Sequence, residues 1–190
     1  MTVQTWKAET QKILWGMIAV AVLGVLTGIL SIVALAHTLM GGTPWYMIVF
    51  PLLLIAAYVF YFLGINNMAK NLTGEDQQSF LKLRLSLILS MVGVVCQFIP
   101  VAGGIIAGIL GIIAAVFYLI AFKRLKDSAT FPELARNGAK LLYVAAIIAI
   151  IGAALSIIPL LNIIGGLLGI AVFVLEVIGW VKIAKAEPAA

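Results

Sequence analysis

Six long apolar runs divide this 190-residue sequence, and they restrict its fold more than any other feature. A helix rises 1.5 Å per residue, so about 20 apolar residues cross the ~30 Å hydrocarbon core of a bilayer. Runs of this length are too long for half-buried strands and lack the alternation of a β-barrel. Because hydrocarbon holds no water for open backbone groups, the sequence predicts an all-α bundle of six transmembrane helices, at roughly 13–36, 45–63, 83–99, 101–122, 141–158 and 160–183.

The composition agrees with a location in the lipid bilayer. Hydrophobic residues make up 64% of the chain and charged residues only 10%, whereas a soluble domain is about half apolar and a quarter charged. One soluble core cannot hide so much apolar surface, so the excess must face lipid. The length suits a single transmembrane domain over residues 1–190, with no separate soluble domain.

Proline and glycine interrupt the two longest apolar stretches. As one helix, residues 83–122 would measure about 60 Å, twice the thickness of the hydrocarbon core. Pro100 breaks this stretch near its middle, and Pro159 breaks 141–183 in the same way. The sequence therefore predicts three helical hairpins, at 13–63, 83–122 and 141–183, joined by connections at 64–82 and 123–140.

All 12 lysine and arginine residues fall on one side of this layout. They precede the first span, lie around the two connections or close the last span, and the other three connections carry none. Because short cytoplasmic loops are rich in lysine and arginine, we expect both termini to be cytoplasmic. The net charge of +5 then reflects topology and contact with anionic lipid. No basic stripe with interleaved aromatic residues indicates nucleic-acid binding.

Local signals refine the ends of the spans. Ala34-Leu35-Ala36 resembles a signal cleavage site, but the apolar run before it exceeds the 7–15 residues of a signal peptide, which favours a membrane span. Thr130-Phe131-Pro132-Glu133 has the pattern of a capping box, and Thr73-Gly74-Glu75-Asp76 offers a similar helix start. We expect the third and fifth spans to extend below the membrane. An aromatic belt is expected at the interfaces, from Trp6, Trp15, Trp45, Tyr46 and Trp180.

The second and third hairpins resemble each other. Gly93 precedes Pro100 by seven residues, as Gly152 precedes Pro159, and 108–112 matches 166–170. Because every predicted hairpin starts and ends in the cytoplasm, the repeats are parallel, unlike the inverted repeats of many secondary transporters.

A resemblance to known proteins rests on this part of the chain. The run Ile99-Pro100-Val101-Ala102-Gly103-Gly104, the glycine-punctuated span after it and the exit Lys123-Arg124-Leu125-Lys126-Asp127-Ser128 resemble small prokaryotic polytopic membrane proteins. Three hairpins in 190 residues are also similar to the layout of the six-helix acid-resistance membrane proteins of enteric bacteria. The resemblance implies a multi-pass protein of a prokaryotic cytoplasmic (inner) membrane, and it assigns no functional residue.

Glu176 is the one charged residue deep inside a predicted span. An intramembrane carboxyl costs a few kcal/mol unless it is neutral, paired or hydrated, so it is a candidate functional group. One interpretation is that Glu176 fastens the sixth span to a neighbour, with Lys140 or Lys182 nearby. The other is that it binds a proton or a cation. The hairpin repeat places Tyr118 at the corresponding position and adds it to the candidate polar site.

Three pairs of glycines have the small-xxx-small spacing that lets membrane helices approach closely. They serve either packing inside the bundle or self-association, and they are Gly24/Gly28, Gly104/Gly108 and Gly165/Gly169.

No motif indicates catalysis, a metal or a cofactor. His37 is the single histidine and Cys96 the single cysteine, which excludes two-histidine zinc motifs, cysteine-based metal sites and an internal disulfide. A P-loop lysine, a nucleophile elbow and intramembrane aspartates are also missing from the sequence. We expect a non-enzymatic protein.

Two functions fit these features. The first is a structural, assembly or membrane-stress-sensing component, as a homo-oligomer or with a membrane-protein partner. The second is a small channel or transporter that uses Glu176. A transporter needs polar groups along several spans, and their scarcity in this sequence favours the first function.

Overall fold

The computed structural model describes residues 1–39, 45–97, 99, 102–156 and 162–187. Within these residues the chain forms six α-helices and no strand. Each helix includes a stretch long and apolar enough to cross a membrane. The prediction of an all-α, multi-pass membrane protein is confirmed. The helices are α1 (Val3–Leu39), α2 (Tyr46–Asn71), α3 (Gly74–Cys96), α4 (Ala102–Asp127), α5 (Glu133–Ser156) and α6 (Asn162–Lys185).

The six helices form a closed ring. Among the described residues, the backbone of each helix lies close only to the helices next to it in sequence, and α1 also lies close to α6. The most extensive contacts are within the pairs α1–α2, α3–α4 and α5–α6, which coincide with the predicted hairpins. The helix α3 ends at Cys96 and α4 begins at Ala102, while α5 ends at Ser156 and α6 begins at Asn162. The predicted breaking points, Pro100 and Pro159, lie outside the described residues. The α1–α6 contact that closes the ring is the least extensive of the six.

The helices extend further than predicted at the end of the bundle that carries the lysines and arginines, which we call the basic end. The connection predicted at 64–82 is almost entirely helical, because α2 runs to Asn71 and α3 begins at Gly74. Gly74 has a φ of 62°, a backbone conformation that favours glycine and lets the chain reverse direction within a short turn. The length of the apolar run did not predict this extension, because polar residues continue a helix as readily as apolar ones.

The predicted capping bonds are not formed. Thr73 is at the N-cap of α3 but makes no side-chain cap hydrogen bond. The Thr130 hydroxyl donates to Oδ2 of Asp76 at 2.8 Å, and the Ser128 hydroxyl donates to Oδ1 at 2.6 Å. Asp76 is only 4% exposed, and a buried carboxylate needs hydrogen-bond donors. The two hydroxyls therefore join α3 to the connection between α4 and α5.

The hydrophobic core lies at the basic end. Trp6 and Trp180 are both 0% exposed, so their predicted place in an interfacial belt is wrong. The indole N–H of Trp6 donates to the carbonyl of Ile183 at 2.9 Å, which joins the start of α1 to the end of α6. The helices close on one another here and enclose these rings. Trp15 and Trp45, in contrast, are 63% and 69% exposed, as expected for a belt.

Four glycines of this half provide the close helix contacts. A Cβ on Gly16 would lie 2.7 Å from the Cα of Tyr61, and one on Gly64 would lie 2.7 Å from Ile13. A Cβ on Gly138 would overlap the carbonyl oxygen of Gly179. The pairs α1–α2 and α5–α6 therefore pack backbone against backbone where these glycines lie.

The glycines predicted to pack lie elsewhere. Among the described residues, a Cβ added at these positions would meet no heavy atom within 4 Å, and the positions are Gly24, Gly28, Gly104, Gly108 and Gly169. The surroundings of Gly165 lie outside the described residues. Internal packing is thus not supported as the role of these five glycines, and self-association stays a prediction.

Candidate functional site

A cavity with several polar groups in a mainly apolar wall lies inside the ring, within the membrane-spanning stretches. Its volume is ≈ 330 Å³, and all six helices contribute to its wall. Small side chains, such as Ala114 and Ala146, leave the space open. The polar groups of the wall come from α2, α3, α4 and α6, and they are Tyr58, Tyr61, Ser86, Ser90, Tyr118 and Glu176.

The structure brings the two predicted site residues together. The Tyr118 hydroxyl donates to Oε1 of Glu176 at 3.1 Å. Since α4 and α6 are not neighbours in the ring, this hydrogen bond crosses the interior rather than a helix–helix contact. The other carboxyl oxygen, Oε2, accepts no hydrogen bond from any described residue, and the carboxyl lines the cavity.

Glu176 forms no ion pair with the described residues. In the part of the chain that the structure describes, the ion pairs are Lys12–Glu9 and Lys126–Asp127, both at the basic end. The expected pairing of Glu176 with Lys140 or Lys182 is not among them. Lys182 is six residues further along α6, which turns its side chain to a different face of the helix. The carboxyl is thus the single acidic or basic group in the cavity wall.

Aromatic side chains surround the carboxyl on its basic-end side. Tyr58 and Tyr61 lie close enough to Glu176 to interact with its charge. The ring of Trp180 packs edge-on against Tyr61 and Phe122, with centroids 6.4 and 5.8 Å apart. These rings form a layer between the cavity and the fully buried core. We call this layer the aromatic floor, and it consists of Tyr61, Tyr118, Phe122 and Trp180.

One polar atom of the aromatic floor has no hydrogen-bond partner among the described residues. Nε1 of Trp180 is buried and lies near the hydroxyls of Tyr61 and Tyr118, but not in hydrogen-bonding geometry with either. A buried indole N–H normally finds an acceptor.

The serines of α3 fix the opposite wall. The Ser86 hydroxyl donates to the carbonyl of Ala114 at 2.8 Å and so ties α3 to α4. The Ser90 hydroxyl donates to the carbonyl of Ser86 at 3.1 Å and lies beside Tyr58.

A second, apolar depression reaches Glu176 from the lipid-facing surface. It lies between α1 and α6, measures ≈ 540 Å³ and is lined by aliphatic and aromatic side chains. Val25 and Ile170, which line it, are each 63% exposed. Ala21 and Glu176 line both this depression and the central cavity. We call the depression the α1–α6 groove.

Other charged groups at the basic end serve packing. Lys12 Nζ lies 2.8 Å from Oε1 of Glu9, and the side-chain amide of Asn67 donates to Oε2 at 3.1 Å. Arg84 donates to the side-chain oxygen of Asn66 at 3.2 Å. Among the described residues, no group of three or more histidine, cysteine, aspartate or glutamate side chains could hold a metal ion.

Sequence reasoning missed most of the cavity wall. It singled out Glu176 and Tyr118 but not the polar groups of α2 and α3. A signal was present, because Tyr58 and Tyr61 are three residues apart and Ser86 and Ser90 four apart, so each pair shares one helix face. The sequence alone could not show that these faces point to the same space.

No protein-family model, curated protein or solved structure matches this chain. The fold and the site define an integral membrane protein of six helices around an acidic intramembrane cavity.

Proposed function

We propose that this protein binds small cations in its central cavity, with Glu176 as the anionic ligand, and carries them as a small transporter or channel. The observation behind the proposal is a carboxyl on a cavity wall built from all six helices, with one oxygen bonded to Tyr118 and no basic residue in the wall. Keeping a carboxyl inside a membrane costs a few kcal/mol, which favours a functional role for it.

The scarcity of polar residues in the predicted spans argued against a transporter. A transporter needs polar groups from several spans, and this wall draws them from α2, α3, α4 and α6. If Glu176 served only to fasten α6, both carboxyl oxygens would be expected to bond to helix groups. The single bond to Tyr118 leaves Oε2 available to a ligand.

The proposal is for a non-enzymatic protein. In the described residues, the cavity wall holds no cysteine, histidine or lysine that could act with Glu176 as a nucleophile or a base. The proposed ligand is therefore bound and released unchanged.

The test is cation flux into proteoliposomes that contain wild-type protein or Glu176→Gln. The probes are H⁺, Na⁺, K⁺ and tetramethylammonium. We expect the wild type to pass at least one of them and Glu176→Gln to lose that flux, because glutamine keeps the shape of the side chain but cannot carry its negative charge. Glu133→Gln is the matched control, since Glu133 is exposed at the start of α5. Flux that is equal in wild type and Glu176→Gln contradicts the proposal.

The structural or assembly function is the second candidate. It is favoured by the open space beside glycines on the exposed surface of α4, at Gly104 and Gly108. A second copy or a membrane-protein partner would bury this surface. Mass measurement of the protein in nanodiscs tests it, with a dimer or larger species expected and a strict monomer counting against self-association.

A further inference from the structure

The α1–α6 groove suggests which cations reach Glu176. Its wall is apolar except for Glu176 at one end, and Phe173 together with valine, leucine and isoleucine side chains forms most of the rest. From Gly169 to Glu176 the groove follows seven residues of α6, about 10 Å. An elongated apolar group of that length could lie along it, with its end at the carboxyl.

The groove and the cavity meet at two residues. Ala21 and Glu176 line both spaces. A ligand whose tail lies in the groove can therefore place its head group against the Glu176 carboxyl. The α1–α6 contact is also the least extensive in the ring, so this side of the bundle offers the least resistance to a ligand that arrives from lipid.

The charges of the site select the head group. Among the described residues, Glu176 is the only acidic or basic one that lines the cavity or the groove. A phospholipid would bring a phosphate towards this carboxyl with no lysine or arginine beside it, which is unfavourable. An ammonium group is attracted by the carboxyl and by the tyrosine rings around it.

We propose that the ligands of this protein are amphipathic organic cations, which enter from the lipid between α1 and α6, lay an apolar tail in the α1–α6 groove and place the ammonium head beside Glu176. This inference rests on the proposed function, since it uses the same carboxyl. It adds the substrate class and the route of access.

The experiment measures equilibrium binding of radiolabelled tetramethylammonium to the full chain in nanodiscs and its displacement by decyltrimethylammonium. Gly169→Trp fills the groove, where a Cβ has open space. Gly104→Trp is the matched control, because Gly104 is also exposed with open space around it but lines neither the cavity nor the groove. Size-exclusion profiles and circular dichroism confirm that each variant is folded, and Gly169→Leu replaces Gly169→Trp if the larger side chain prevents folding.

We expect decyltrimethylammonium to displace the probe at a concentration at least about tenfold below that of unlabelled tetramethylammonium, since burial of an alkyl tail is favourable. Gly169→Trp should reduce this gain to less than about threefold, whereas Gly104→Trp should keep the full gain. Decanol, which lacks the charge, should not displace the probe.

The outcomes separate the inference from the proposed function. If Glu176→Gln binds tetramethylammonium as well as the wild type does, or if the wild type binds none, the proposed function and the inference are both wrong for organic cations. If binding depends on Glu176 but the tail brings no gain, or the gain survives Gly169→Trp, only the inference is overturned. A groove permanently occupied by a lipid chain would give this second result.

Discussion

A single hydrogen bond holds the Glu176 carboxyl in place inside the ring. Tyr118 donates it from across the interior, from α4, which is not a neighbour of α6 in the ring. The bond therefore does two things: it lowers the cost of an intramembrane carboxyl and it fixes where that carboxyl points. Both effects can be measured by removing one oxygen atom.

Replacement of Tyr118 by phenylalanine removes the donor and keeps the ring. We expect the free energy of unfolding to fall by about 1–2 kcal/mol, the range for a hydrogen bond to a partly buried polar group. Chemical denaturation in detergent micelles measures this value, and a double-mutant cycle with Glu176→Ala isolates the coupling between the two side chains. A coupling near zero would mean that the bond does not form in the folded protein.

Asp76 is the second carboxylate whose surroundings decide its role. It accepts hydrogen bonds from Ser128 and Thr130, which lie in the connection between α4 and α5. Asp76→Ala leaves both hydroxyls without their acceptor and should lower the free energy of unfolding by about 2–3 kcal/mol. Asp127→Ala is the control, because the side chain of Asp127 is 63% exposed, and it should change stability by less than about 0.5 kcal/mol. Equal effects of the two substitutions would contradict this account.

The sequence predicted that six helices form more accurately than it predicted where each helix begins and ends. Each apolar run became a helix, because an apolar run in hydrocarbon has no other way to satisfy its backbone. The starts of α3 and α5 were predicted from their polar residues, but the ends of α2 and α4 at the basic end were missed, since beyond the membrane the run of apolar residues stops while the helix continues, as at Lys70 and Asn71 of α2. Thr130 shows the same limit. Its sequence pattern predicted an N-cap, but its hydroxyl donates to the carboxylate of Asp76, which is distant in sequence.

Close packing of helices was the other element-scale property that the sequence could not assign. Small-xxx-small spacing marked glycines that face open space, such as Gly104 and Gly108, and missed Gly138, which packs against Gly179. The spacing only says that a helix can present a flat face. Which face meets a neighbour depends on the rotation of the helix in the ring, and a low-complexity apolar sequence does not encode that rotation visibly.

Substitution of alanine for glycine distinguishes these two kinds of position. Gly138→Ala places a methyl group against the carbonyl oxygen of Gly179 and should separate α5 from α6, with a loss of about 2 kcal/mol or more. Gly108→Ala has open space and a better helix propensity, so it should leave stability unchanged or raise it by up to about 1 kcal/mol. Thermal unfolding in one detergent compares the pair. If Gly108→Ala proved the more harmful of the two, the assignment of contacts would be reversed.

The whole molecule is asymmetric along the membrane normal. At the basic end the helices close around fully buried side chains such as Phe122 and Trp180. Towards the other end large side chains are exposed, including Ile105 and Ile112 at 69% each. The aromatic floor lies between these halves, so the cavity is closed towards the basic end by packed rings and the carboxyl lies above them. A path through the bundle would require the floor to move.

The orientation of this asymmetric molecule follows from its charges. All 12 lysines and arginines lie at or near the basic end, and cytoplasmic loops hold such residues because translocation of positive charge is disfavoured. We therefore expect the closed half to be cytoplasmic and the cavity to lie on the external side of the aromatic floor. Single-cysteine labelling tests this in a Cys96→Ala background. Glu133→Cys is at the basic end and Gln97→Cys at the other, and both positions are exposed. In intact cells a membrane-impermeant maleimide should label Gln97→Cys and reach Glu133→Cys only after permeabilisation. The reverse pattern would place the closed half outside, and the carboxyl would then be separated from the exterior by the packed rings.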